Sequence, residues 1–422
     1  MKEKKRSHNN KRDTYRILAA DKKVNNNTWI TGLNNNDIII GPSGAGKTRG
    51  YVIPNILQCN ESMIIADTKG SLCKSLWRKL ISNGYCVKIL DFTDCYASSC
   101  GYNPLDHIKY DKKRDQYNEQ DIKTIAAALV PQEQANDPFW HHAARVYLES
   151  IIAYVMECLP EEEHNLSSIM RLFGLMGSWQ FGRLYEELSE INPKSYAAQL
   201  YQMYYNNAKA EKMHESIRGI LGEKLSVFAL NGVEALSQKQ NKVDFREMGK
   251  HKTAVFLNIS DTDRSMDRLA NLFYTQAMHE LCDSADKDYP EHRLDVPVRF
   301  ILDDFAANVY IPDFDNITSV IRSREVSVSI ILQSLSQLEA LYGSAKAKTI
   351  LNNCDHCLYL GGQDVETARY ISCKANKSIN TILNMPLSEA WLFERGSEPG
   401  QVRKYRLKDD WDKEDYDMAA SL

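Results

Sequence analysis

The sequence predicts an α/β fold: a central, mostly parallel sheet interrupted by an inserted all-α domain. Three observations predict it. Short apolar runs without polar alternation recur between turns, the pattern of parallel strands buried on both faces. The spacing between the early runs leaves room for crossover helices, which makes them βαβ units. From about residue 110 to 235 nearly every segment has helical period, and the strand-like runs stop until residue 253.

Taken in order, residues 1–27 are polar and read as a loose basic tail, with Lys2, Lys4, Lys5, Arg6, Lys11 and Arg12 at its start. It has no apolar core and so is not a secretory signal. Its plain reading is a solvated segment; its functional reading is a weak electrostatic contact with nucleic acid or anionic lipid. "DIII" (37–40) is the first strand of the sheet, followed by "SMIIAD" (62–67) and "YCVKILDF" (85–92). Strands return at 253–260, 298–305, 326–333 and 356–362, and the last is "AWLFERG" (390–396). Residues 28–109 and 236–422 are therefore assigned to the sheet domain and 110–235 to the all-α domain.

Bulk properties exclude some functions. A net charge of −4 rules out a molecule-wide basic surface, so any contact with DNA has to come from local patches. The ten cysteines are irregularly spaced and follow no secretory signal, which points to a reducing cytoplasmic setting. Cys354 and Cys357 have metal-like spacing, but no second pair completes a tetrahedral site, and they read as part of a buried strand. No apolar run approaches the ~18–20 residues of a membrane span. "SIIAYVMECL" (150–159) is half that length and is interrupted by Glu157. The chain is expected to be soluble or peripheral, without a transmembrane segment.

The chemistry starts where the first strand runs into "GPSGAGKT" (41–48). Gly41, Gly46, Lys47 and Thr48 fit the phosphate-loop pattern, with Pro42, Ser43, Gly44 and Ala45 between them. Such a loop turns its backbone N–H groups inward as an anion nest, and the helix behind it adds its positive N-terminus. Lys47 is a mobile cation suited to the outer phosphates, and Thr48 is a ligand for Mg²⁺. A second acidic element is then required. "VRFILDDF" supplies Asp303, placed to hold the metal through water, and Asp304, placed to orient the attacking water. A strand-end turn with two solvated acids is the plain alternative. Gln333 ends the apolar strand "VSVSIILQ", where its side chain would face the terminal phosphate. Arg322 precedes that strand. It reads as part of a surface basic cluster, as a member of a structural ion pair, or as an arginine that completes a neighbouring subunit's site.

Beyond these residues, the chain resembles the TraG/TraD-type coupling proteins of conjugation and type IV secretion over about residues 36–396. The resemblance is carried by "DTKGS" (67–71), "YNPLD" (102–106) and "DPFW" (137–140), together with "ILDDFAANVYIPDFD", "IRSREVSVSIILQSLSQLEALYG" and "NNCDHCLYLGGQDVETARYIS". It implies a RecA-like ATPase domain plus an all-α domain, and assembly into a homo-oligomeric, typically hexameric ring. The ring would deliver relaxase-bound single-stranded DNA, or effector proteins, to membrane secretion-channel proteins from the inner face of the cell membrane. By motif, Lys47 and Thr48 would bind ATP and Mg²⁺, Asp303 would hold the metal, Gln333 would lie in the sensor motif and Arg322 would act in trans. The chain departs from the pattern in three ways: it has no transmembrane helices, it has "DD" where "DE" is usual, and the stretch after "ARYIS" is short. Two other readings stay open, a nucleotide-gated substrate receptor with weak hydrolysis and a cytosolic DNA pump unrelated to secretion.

Overall fold

The computed structural model describes residues 14–131, 138–207, 211–305 and 310–407. They form two compact units, one within Met1–Lys88, Phe245–Asp261 and Leu281–Leu422, the other within Ile89–Asp244 and Thr262–Glu280. The all-α segment expected at 110–235 lies inside the second unit, which also takes in residues 89–109, 236–244 and 262–280.

The chain enters through a hairpin, β1 (Tyr15–Ala19) and β2 (Lys22–Asn25). This corrects the reading of residues 1–27 as a loose tail, as far as residues 14–27 are concerned. The six basic residues at the start of that tail lie outside the described residues. Arg16 interrupts the apolar pattern of β1 and looks like a surface residue, yet it is buried. Its guanidinium grips Asp37 with two bonds, 2.7 and 3.0 Å, the fork geometry that makes a buried arginine tolerable.

The sheet strands are β3 (Asp37–Ile40), β4 (Ser62–Ala66) and β5 (Cys86–Asp91). A two-stranded pair, β6 (Tyr110–Asp111) and β7 (Gln116–Tyr117), belongs to the second unit. The sheet resumes with β8 (Thr253–Asn258), β9 (Val298–Leu302), β10 (Val326–Leu332) and β11 (His356–Tyr359). It closes with β12 (Glu389–Glu394) and β13 (Gly400–Arg403). The nine-stranded order is β13-β12-β11-β3-β10-β9-β4-β8-β5. From β11 through β8 all neighbours are parallel, while β12 and β13 add antiparallel pairs at one edge. The runs of β3, β4, β9 and β10 are buried throughout, as strands covered on both faces require. β5 departs from the expectation: it is the last strand of the sheet, and only Leu90 in it is buried. β13 was not expected. Only Val402 in it is strongly apolar and its side chains alternate between partly and fully exposed, so an edge strand here leaves no hydrophobic signal.

The N-terminal end of the sheet carries a buried ionic cluster. Asp37 meets Arg16, the Arg299 guanidinium at 3.6 Å and His356 Nδ1 at 3.3 Å, and Arg299 also pairs with Glu61. Tyr51 donates its hydroxyl to Asp37 at 2.5 Å. Burial pushes the Asp37 carboxyl up, but Arg16, His356 and Arg299 overcome it and hold it well below its ordinary 3.8. Asp37 therefore stabilises the fold fully above about pH 3.8, and that contribution is lost progressively as pH falls from there through its depressed value.

Apart from β6 and β7, the second unit is mostly helical. Its axis is the helix Pro138–Cys158, which buries Tyr147, Leu148, Ile151, Ile152 and Val155. Helices Leu166–Gly174 and Trp179–Ile191 start at Asn165 and Ser178, whose side chains accept from the N–H groups of Ser168 and Phe181. Tyr185 and Tyr201 stack at 4.3 Å between ring centres. No helix among the described residues is long and apolar enough to cross a membrane.

Candidate nucleotide-binding site

The site forms where β3, β10 and β9 end together. β10 lies between β3, which enters the glycine loop, and β9, which is followed directly by Asp303. Gln333 therefore emerges between the loop and the acid. This is the C-terminal edge of a parallel sheet, where open α/β folds bind ligands.

The loop is shaped by its glycines. Gly44 and Gly46 have φ of 77° and 93°, left-handed values that side chains resist, and these turn successive N–H groups to one side. Gly41 is required for another reason: a Cβ there would stand 2.9 Å from the Leu360 Cβ. The helix behind the loop opens as a wide turn, Thr48–Val52, with the Ile53 N–H reaching back to the Thr48 carbonyl. Pro54 follows and has no N–H to give to the turn before it, which favours the wider form. Tyr51 in this turn anchors it to Asp37 and to Ser329 at 2.8 Å.

Lys47 is 7% exposed and folds back onto its own loop, donating to the carbonyls of Gly41 at 2.8 Å and Pro42 at 3.1 Å. The Thr48 hydroxyl donates to Asp303 at 3.0 Å. A hydroxyl and a carboxylate are thus paired next to an anion nest, the hard oxygen set that Mg²⁺ takes alongside phosphates. Burial, and then the neighbouring Asp304 carboxylate, raise the Asp303 carboxyl to about 6, against the opposing pull of Thr48 and Lys47. It is the paired hydroxyl and carboxylate beside the glycine loop that fit a metal–phosphate ligand.

Asp304 stands with φ of 49°, a left-handed backbone that Asp and Asn tolerate better than other side chains. That conformation gives a physical reason for Asp rather than Glu at this position. Gln333 Nε2 reaches Asp304 at 3.5 Å, and the Gln333 N–H is held by the Gln337 side chain at 3.1 Å. Lys47, Thr48, Asp303, Asp304 and Gln333 are thus brought together.

Arg322 is not. It lies in the turn Ile321–Arg324 before β10, and donates to the carbonyls of Gly32 at 3.0 Å and Thr28 at 3.4 Å. The seven residues of β10 separate it from the Gln333 end, about 23 Å at ~3.3 Å per residue. Its neighbour Arg324 is committed to Asp286. One contact to the loop was not expected: Lys404 Nζ donates to the Ala45 carbonyl at 3.3 Å and to the Leu360 carbonyl at 2.7 Å. Nothing in the pattern around Lys404 signals it, since it follows an edge strand 356 positions after the loop's last residue.

The family of type IV secretory system conjugative DNA transfer proteins matches residues 1–378. The chain belongs to this family. Protein VirD4 of Rhizobium radiobacter is 23% identical over 359 residues, covering 85% of this chain and 50% of VirD4. The chain spans about half the length of the curated relatives it matches. Among solved structures, the plasmid coupling protein TrwB in complex with the ATP analogue ADPNP superposes with a TM-score of 0.66 at 17% identity, covering 88% of this chain and 86% of that one. TrwB in complex with ADP and Mg²⁺ gives 0.65 at the same identity and coverage. At that identity the likeness establishes the fold, and with it the RecA-like α/β class.

Proposed function

We propose that this chain is an ATP-driven coupling protein that recruits a relaxase–DNA complex or effector proteins and delivers them to a type IV secretion channel. The observation that carries the reading is the convergence of Lys47, Thr48, Asp303 and Gln333 at one sheet edge in a conjugative DNA transfer family member. Lys47 would exchange its carbonyl partners for the outer phosphates, and Thr48 with Asp303 would hold Mg²⁺, which would supply charge neutralisation at the terminal phosphates. Asp304 takes the proton of the attacking water, and Gln333, adjoining it, senses the terminal phosphate. Steady-state ATP hydrolysis by the full chain, with and without single-stranded DNA, tests the reading. No turnover in either condition sinks the motor.

A second reading, the nucleotide-gated receptor, is favoured by one observation: the short Asp304 side chain sits on a left-handed backbone, which limits its reach. Asp304→Asn separates the two, because Asn keeps the backbone preference and removes only the charge. The motor reading expects a fall in turnover on the order of 10²-fold, with ATP affinity retained. Equal rates for the parent and Asp304→Asn assign the base elsewhere. Asp304→Glu adds reach but strains the backbone, so it is the less clean variant.

The Asp303 shift gives a pH prediction. Holding Mg²⁺ requires the ionised form, so affinity for ADP with Mg²⁺ should be level above about pH 6 and fall below it, approaching tenfold per pH unit. In the ligand-free chain the sign is opposite: the protonated carboxyl favours the fold, and its contribution is lost as pH rises from 3.8 through about 6. Calorimetric titrations from pH 5 to 8 read the first effect. An equally steep profile in Asp303→Asn would assign the titration to another group.

A further inference from the structure

The phosphate loop has two flanks. β10 and β9 lie on one side of β3, and β11, β12 and β13 on the other. Asp303 and Gln333 end strands of the first flank, so a terminal phosphate and its metal belong there. A phosphate chain laid along the loop then carries its nucleoside toward the second flank. On that flank β11 is parallel to β3, β12 is antiparallel to β11, and β13 is antiparallel to β12. β13 therefore runs in the direction of β3, and the residues leaving it emerge at the ligand edge of the sheet. They are Lys404, Tyr405 and Arg406.

This segment is fixed against the loop. The Arg403 carbonyl accepts from the Ala20 N–H at 2.9 Å, and the Lys404 N–H donates to Ser388 at 2.9 Å. The Lys404 ammonium, half-buried, joins two carbonyls: Ala45 within the phosphate loop and Leu360, which itself continues the ladder by donating to Ile40 at 2.7 Å. The Tyr405 carbonyl approaches the first helical turn so closely that a Cβ on Gly50 would stand 3.0 Å from it. The segment thus touches the loop before Lys47 and the helix after Thr48. A partly exposed tyrosine and an exposed arginine lie next to these contacts.

We propose that Lys404–Arg406 form the nucleoside wall of this site, with Lys404 clasping the segment to the phosphate loop while Tyr405 and Arg406 receive the base and ribose of a nucleoside triphosphate. The inference rests on the nucleotide reading above. It concerns residues beyond the family match, which ends at 378. An aromatic ring accepts the face of a base and a guanidinium stacks or donates to ribose oxygens, whereas neither is needed for the phosphates.

The test compares ATP with inorganic tripolyphosphate, which carries the phosphate chain without a nucleoside. Both are titrated with Mg²⁺ into the full chain by calorimetry. Tyr405→Ala should weaken ATP about tenfold, the lower range of aromatic–base stacking, and leave tripolyphosphate unchanged. Tyr405→Phe should retain parent affinity for both. Arg406→Ala, at an exposed position that cannot unsettle the fold, should show the same selective loss as Tyr405→Ala. Equal loss of both ligands would make the segment a support of the phosphate loop and overturn the proposal. No loss of either would place the nucleoside elsewhere and also overturn it. A parent chain that binds neither ligand would overturn the nucleotide reading itself, and this inference with it.

Discussion

Lys47→Ala should lower ATP hydrolysis on the order of 10²–10³-fold or more, the cost of removing one preorganised charge from a phosphoryl-transfer site. The ammonium is already inside the site. It is buried against the Gly41 and Pro42 carbonyls, so on the proposed reading it would change partners without crossing solvent when phosphate enters. Without it, the phosphate charge is met by neutral backbone N–H groups and the metal alone. Lys47→Arg should not restore the rate, because a planar fork cannot occupy a pocket formed for a point charge. The effect on the fold should be small, since the two carbonyls freed by the substitution face the loop and can be met by water. Steady-state phosphate release, with thermal unfolding as the control, measures both. A variant that hydrolyses ATP at the parent rate while folding normally would remove the phosphate loop from the mechanism.

Arg322→Ala should bind ATP as the parent does and lose hydrolysis by roughly 10³-fold, the lower range for an arginine supplied in trans. The geometry makes the prediction sharp. Arg322 stands at the end of β10 opposite Gln333, far from the phosphate loop of its own chain. If it touches a phosphate at all, that phosphate belongs to another subunit. Mixing Arg322→Ala with Lys47→Ala should then recover activity, because mixed assemblies pair an intact loop with an intact arginine. The competing account is a local one: Arg322 ties the carbonyls of Gly32 and Thr28, and its loss costs about 1 kcal/mol of stability and nothing else. Unchanged turnover in Arg322→Ala, or no recovery at any mixing ratio, would favour that account and remove the argument for a shared site.

The sequence by itself determined the sheet strands from "DIII" to "AWLFERG", the succession of helices between residues 110 and 235, and the glycine loop and the acid that meet at one sheet edge. Each is a local signal. A strand buried on both faces is apolar wherever no partner meets a polar side chain, a loop that nests an anion carries glycine where φ is positive, and a carboxylate follows the strand that delivers it. What lay beyond reach was set by partners distant in the chain. Arg16 reads as a solvated residue of a tail until Asp37 is placed against it, 21 positions on. β13 carries almost no apolar pattern, because an edge strand exposed to solvent needs none. The backbone at Asp304, the distance of Arg322 from its own loop, and the contact of Lys404 with Ala45 all depend on how strands are ordered side by side. That order is decided by which buried faces and charges find each other in three dimensions, and no spacing along the chain encodes it.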